Sequence, residues 1–177
     1  MNAAASRMVD CTDGAAAREA LAWQVLATVE DPEIPALSVV DLGVIRHVRT
    51  DADGVLEIGL TPTYSGCPAT EVIRHSIEQA LQEAQTGPCR ITNELSPPWS
   101  SDWISEEGRR KLAAYGIVPP AKGVSSPRQL AHPDRPMACP RCQSAHTERL
   151  SEFGSTPCKA LYRCRDCLEP FEYFKCI

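Results

Sequence analysis

Two Cys-x-x-Cys pairs, Cys139-Pro140-Arg141-Cys142 and Cys164-Arg165-Asp166-Cys167, stand 21 residues apart near the end of the chain. In each such turn both sulfurs face one focus while the intervening amides hydrogen-bond to them. Two turns close a tetrahedral shell of four thiolates, the arrangement Zn²⁺ takes in structural sites. A tetrahedral S₄ set suits rubredoxin-type iron as well. His146, four residues after Cys142, is either a substitute ligand or an ordinary surface histidine. Cys158 and Cys176 are left over beside the tetrad. They are either buried small hydrophobes or thiols that exchange with a tetrad ligand or hold a second metal transiently.

A fifth place for chemistry is Cys67, at the end of Thr61-Pro62-Thr63-Tyr64-Ser65-Gly66-Cys67-Pro68. The spacing predicts Cys67 as the N-cap of a helix with Pro68 at its first helical position. Free amides and the positive end of the helix dipole favour a thiolate there, and Glu71 one turn on partly opposes that field. On residue types alone Cys67 is either a reactive thiol or a half-buried cap residue. Asp31, Glu33 and Asp41 lie in loops that can converge on it, or they are ordinary turn-capping acids. No Asn or Asp is placed to orient His75 against Cys67, so a cysteine hydrolase has no triad to rest on.

The count of nine cysteines in 177 residues is odd, which argues against a closed disulfide framework. Met1–Arg18 holds neither a secretory h-region nor an Arg-rich, acid-poor leader. The expected setting is therefore a reducing cytoplasm, where thiols stay free or bind metals. At 43% hydrophobic and 23% charged residues, the chain is neither disordered nor a coiled coil. No apolar run approaches the roughly 18 residues of a membrane span. The net charge of −5 makes the surface as a whole a poor match for a phosphate backbone.

The elements that must position these residues read as α+β. A helix is predicted over Ala15–Glu30, with Ala22, Val25, Leu26 and Val29 on one face, stopped by Asp31-Pro32-Glu33-Ile34-Pro35. Gly43–Arg49 and Val55–Thr61 read as a hairpin, the second strand alternating through Leu56, Ile58 and Leu60. A helix from Cys67 to about Gln85 carries Ile73, Ile77, Ala80, Leu81 and Ala84, and Cys89–Leu95 is a third strand. Ser105 with Glu106 and Glu107 starts a short helix that Gly116 ends. The five prolines of residues 119–138 mark a linker. The last 41 residues have six basic and five acidic side chains, a net charge of +1 against −6 for residues 1–136. That shift divides the chain into a frayed terminus (1–14), an acidic α+β domain (15–118), the linker and a Cys-rich module (139–177). So small a module cannot fold by burial alone, and metal binding supplies what is missing. Leu150, Phe153, Leu161, Tyr162, Phe171, Tyr173 and Phe174 are its expected apolar packing.

Asp31-Pro32-Glu33-Ile34-Pro35, Asp41-Leu42-Gly43 and Thr61 through Pro68 together resemble the SufT-like domain of iron–sulfur assembly proteins. Ser151 through Thr156, Cys158 through Cys164 and Pro170 through Cys176 resemble the PaaD family, encoded with the bacterial phenylacetyl-CoA epoxidase. The likeness runs from about residue 18 to the C-terminus and spans both modules. It implies an accessory role in maturing that oxygenase rather than catalysis, by iron or iron–sulfur supply to the reductase or the di-iron oxygenase subunit. It also implies that Cys67 handles the iron or cluster, with Asp31, Glu33 and Asp41 shaping its pocket. One such thiol per chain further suggests a homodimer bridging a labile cluster.

Two other readings compete. A zinc ribbon can bind nucleic acid, but the five acids among its bases leave no single-sign footprint. Iron in the tetrad would instead make an electron-transfer protein of the rubredoxin kind. The expected cofactor is structural Zn²⁺ on Cys139, Cys142, Cys164 and Cys167, with Cys158 and Cys176 as possible additional ligands.

Overall fold

The computed structural model describes residues 11–64, 66–123 and 137–175. The expected frayed terminus therefore lies largely outside the described residues, as do most of the linker and Cys176.

The first helix, α1, spans Cys11–Leu26 and ends a turn earlier than the apolar spacing predicts. Its last amides tighten to three-residue bonds, Thr28 to Val25 and Val29 to Leu26. The chain is already committed to the Asp31-Pro32 turn, where Glu30 bridges Ser38 and the Asp31 amide donates to the Leu37 carbonyl. The hairpin β1 (Ile45–Thr50) and β2 (Leu56–Leu60) is antiparallel. Asp51 Oδ1 closes its loop by accepting from the Asp53 and Val55 amides at 3.0 and 2.8 Å. The helix α2 (Ala69–Glu83) crosses over to β3 (Cys89–Asn93), which runs parallel to β2. Leu56, Ile58 and Leu60 are fully buried, as their alternation predicts, under Ile73, Ile77 and Leu81 of α2.

A 3₁₀ turn, Ser101–Trp103, leads into α3 (Glu106–Ala114). Ser105 Oγ accepts from the Gly108 amide at 2.8 Å, and Gly116 follows with φ 87°, so both ends of α3 match their sequence signals.

The second sheet joins the two modules. The short strand β4 (Ile117–Val118) precedes the linker. The strands β5 (Thr147–Ser151), β6 (Lys159–Cys164) and β7 (Pro170–Phe174) form an antiparallel ribbon. β4 pairs with β7 in parallel, giving the order β4-β7-β6-β5. One core cluster centres on sheet one and takes in Cys158 and Phe174 of the ribbon. The Phe174 ring lies 6.1 Å from that of Trp99. A smaller cluster holds Cys139, Ala160, Tyr162, Cys164 and Phe171. Leu150 on the edge strand β5 and Phe153 just beyond it are exposed rather than part of the expected apolar packing.

Candidate functional site

The four tetrad cysteines converge. Their sulfurs all lie within 4.8 Å of one another, and the pairs Cys139–Cys167 and Cys142–Cys164 are both at 3.6 Å. Metal–sulfur bonds of about 2.3 Å in a tetrahedron place sulfurs about 3.8 Å apart, so the donor set fits a four-thiolate ion with sulfur shifts of about an ångström or less. The Cys167 amide donates to Cys164 Sγ at 3.5 Å. That bond, with help from the Asp166 amide, holds the Cys164 thiol down at about 7. Cys139 and Cys164 are buried while Cys142 is exposed, so the site is open on one side only. His146 stands outside the group, its Nδ1 3.0 Å from Asp166 Oδ1.

The basic residues of this module are all engaged. Arg163 and Arg165 both pair with Glu148, Arg141 with Glu169, Arg149 with Glu152 and Lys159 with Glu172. The Lys175 ammonium lies over the Phe153 ring at 4.5 Å.

A second site lies where the modules meet. A small cleft is lined by Asp31, Glu33, Thr61, Cys67, Cys158 and Phe174, over an apolar floor that includes Leu42, Val44 and Leu60. Its acidic wall is the Asp31-Pro32-Glu33 turn. Asp31 Oδ1 accepts from the Glu33 and Ile34 amides at 2.9 and 2.8 Å, which fixes the loop ahead of Pro35. Burial, partly offset by those two amides, raises the Asp31 carboxyl above its ordinary value. Burial and the neighbouring Asp31 charge do the same to Glu33.

Cys67 does not cap α2. Pro68 is the N-cap, with no side-chain cap bond, and Cys67 sits one residue earlier in a turn whose amide donates to the Tyr64 carbonyl at 3.2 Å. The ring of Pro68 supplies the helical φ but no donor, so helix entry is displaced by one position. The same turn brings in Tyr64 beside the Cys67 thiol. Burial, then the Cys67 sulfur, pushes the phenol up to about 12, so it stays neutral.

Cys158 belongs to this cleft and not to the tetrad. It precedes β6, is 5% exposed and packs in the main core. Its Sγ lies 3.0 Å from Thr156 Oγ1 and donates to Glu33 Oε2 at 3.8 Å. Burial pushes this thiol up to about 11. Lys159, next in sequence and 3% exposed, sets a compensating ammonium near Asp31, Glu33 and Cys158.

Comparison with known proteins matches each half separately and the whole together. Residues 124–175 match the PaaD zinc beta ribbon domain, and residues 19–91 match an iron–sulfur cluster assembly protein model. A protein of Escherichia coli K12, described as a putative subunit of 1,2-phenylacetyl-CoA epoxidase, is 49% identical over 155 residues. That alignment covers 88% of this chain and 91% of the relative. The chain belongs to the PaaD family. The N-terminal half of this PaaD-family chain also resembles an Fe–S protein maturation auxiliary factor of Porphyromonas gingivalis, 34% identical over 50% of this chain and 85% of that one. Among solved structures, a domain of unknown function from Bacillus anthracis superposes with a TM-score of 0.53 at 25% identity, covering 57% of this chain and 96% of that one. The α+β domain and the ribbon are thus both those of the family. Among the described residues, no helix is long and apolar enough to cross a membrane.

Of the SufT-like motifs, Asp41-Leu42-Gly43 reaches the cleft only through Leu42. The Asp41 carboxylate accepts from the Ser38 amide and hydroxyl at 3.2 and 2.9 Å, from Ser105 Oγ at 3.1 Å and from Lys111 Nζ at 2.6 Å. These bonds outweigh its burial and hold the carboxyl below the usual range. Asp41 thus ties the 38–41 turn to α3. Asp41→Asn is expected to cost about 2 kcal/mol at pH 7, the scale of hydrogen bonds to a charged group. A carboxyl depressed in the folded state stabilises above its unfolded value near 3.8, and that stability is lost as pH falls through the lower folded value. The gap in urea unfolding between wild type and Asp41→Asn should therefore be full at pH 6 and shrink below about pH 4. Metal loss in acid affects both chains alike and cancels in the difference. A gap that does not change with pH would show that the charge is irrelevant.

Tyr64, Thr61 and Thr156 are not legible as site residues in the sequence. The first two lie in the Thr-Pro-Thr-Tyr-Ser-Gly run but read there only as turn formers.

Proposed function

We propose that this chain is a non-catalytic maturation subunit of the multicomponent 1,2-phenylacetyl-CoA epoxidase of aerobic phenylacetate degradation. It works in the cytoplasm and delivers iron or iron–sulfur to the reductase or the di-iron oxygenase subunit. The observation that carries this is the 49% identity, running through both modules, to a protein described as part of that epoxidase.

Cys67 is the thiol that handles the cargo. It stands in a cleft with Asp31 and Glu33, partly open, as a transient ligand must be. Asp41 contributes from outside, by fixing the turn that carries Leu42 and Val44 to the cleft floor. Zn²⁺ on Cys139, Cys142, Cys164 and Cys167 supplies structural stability, and the ribbon's exposed Leu150 and Phe153 offer a surface to the client. The neutralised arginines of the ribbon support this reading over nucleic-acid binding. The four-thiolate shell, open only on the Cys142 side, suits a structural ion.

The test is complementation of cells lacking this protein. Cys67→Ala is expected to lower epoxidase activity and the iron content of one client subunit several-fold, and the depleted subunit identifies the client. Full activity with full iron in both subunits would sink the proposal.

A further inference from the structure

We infer that Cys158, carried by the ribbon, is the second thiol of the Cys67 cleft, and that the two sulfurs with the Glu33 carboxylate hold one ferrous ion within a single chain. This rests on the reading of Cys67 as the cargo thiol, and it replaces a bridge between two copies by a site complete in one.

Both thiols line the cleft with Asp31 and Glu33. Among the described residues only the tetrad's ligand atoms are already drawn together, so the ion itself closes Cys67 onto Cys158 and Glu33. Cys158 is the one ribbon cysteine among the described residues that the tetrad does not use. It is held toward the N-terminal domain by the pairing of its neighbours: Lys159 opposite Phe174 in the β6–β7 ladder, and the Lys175 amide donating to the Cys158 carbonyl at 2.9 Å. Its sulfur already touches Glu33 Oε2.

A second observation points to a ligand. Thr61, 1% exposed, lines the same cleft, and its Oγ1 has no hydrogen-bond partner. A buried hydroxyl left unpaired costs about 1–3 kcal/mol, which a water or hydroxide carried by a bound ion would relieve.

The donor set selects the ion class. Two thiolates and one carboxylate are a mixed soft and hard set that suits borderline divalent ions such as Fe²⁺. On binding, each thiol gives its proton to solvent, and the two thiolates and the carboxylate each replace a water of the ion. No electron is transferred. Two thiolates, one carboxylate and Fe²⁺ leave one negative charge, with Asp31 a further acid in the cleft and the buried Lys159 ammonium shared with Glu172.

The full chain with zinc in the ribbon, purified anaerobically, is titrated with Fe²⁺ and, as an optical probe, Co²⁺. Wild type is expected to take one further ion per chain, with sulfur-to-cobalt charge-transfer absorption, and native mass spectrometry should find it on single chains. Cys67→Ser and Cys158→Ser should each weaken the uptake at least tenfold. Cys158→Ala, checked for one zinc per chain, guards against a folding defect of the serine variant. Unchanged uptake in both Cys158 variants with loss in Cys67→Ser would overturn the pair but leave Cys67 as cargo thiol. Loss in neither, or no further ion in wild type, would overturn the ferrous site, while the Cys67→Ala complementation decides the cargo thiol separately. An ion found only on paired chains would overturn the single-chain site.

Discussion

Cys139→Ser is expected to unfold the ribbon and to dismantle the cleft with it. The ribbon's own core is five buried side chains, two of them metal-site cysteines, and its backbone pairing with the N-terminal domain is the two-residue match of β4 to β7. Binding of Zn²⁺ to small Cys-rich folds is worth about 10–16 kcal/mol, as large as the whole stability of an ordinary domain, about 5–15 kcal/mol. One ligand fewer leaves an open, weakly held ion and three thiols packed together. Because Cys158 and Phe174 enter the main core from the ribbon, its loss removes one wall of the cleft. Hydrogen exchange is the measurement: amides of β5, β6 and β7 should lose protection in Cys139→Ser, while those of β1 and β2 keep it. Protected ribbon amides in zinc-free protein would show that burial alone holds the module. The same variant should lose the Fe²⁺ uptake of the cleft although it touches none of its ligands.

Legibility from sequence follows the range of the interactions. The tetrad is readable because each Cys-x-x-Cys turn is local and only the two halves must meet. Periodicity places Ile73, Ile77 and Leu81 on the buried face of α2, and Ser105 and Gly116 mark α3 because caps act within one turn. The end of α1 is not readable, since the chain leaves the helix for a long-range bridge between Glu30 and Ser38. Nor is the fate of Asp41, whose partner Lys111 lies 70 positions on. Cys158 is the sharpest case. Its neighbours in sequence are ribbon residues, so proximity along the chain suggests the tetrad, whereas it lies just before β6, outside that strand's alternation, and packs in the main core. Leu150 and Phe153 read as core residues by type, and only the sheet order reveals that β5 is an edge.

Phe174→Ala is expected to destabilise the protein by about 3–5 kcal/mol, the usual cost of emptying a buried phenylalanine site. The ring is 1% exposed, packs against Trp99 and lines the cleft, so the hole opens at the seam between the modules rather than inside either one. The control is Phe171, 5% exposed on the same strand. An odd separation of three residues puts the two rings on opposite faces of β7, Phe171 on the ribbon cluster beside Tyr162 at 5.8 Å. Urea unfolding should find both alanine variants weakened, and the Trp99 indole distinguishes them. Its Nε1 donates to the Leu42 carbonyl at 3.1 Å, on a loop whose Leu42 side chain floors the cleft. Phe174→Ala should shift that indole resonance and speed its exchange, and Phe171→Ala should leave it in place. The reverse pattern would mean that the ribbon is joined to the first domain through its metal-binding face, and Cys158 would then have no route to Cys67.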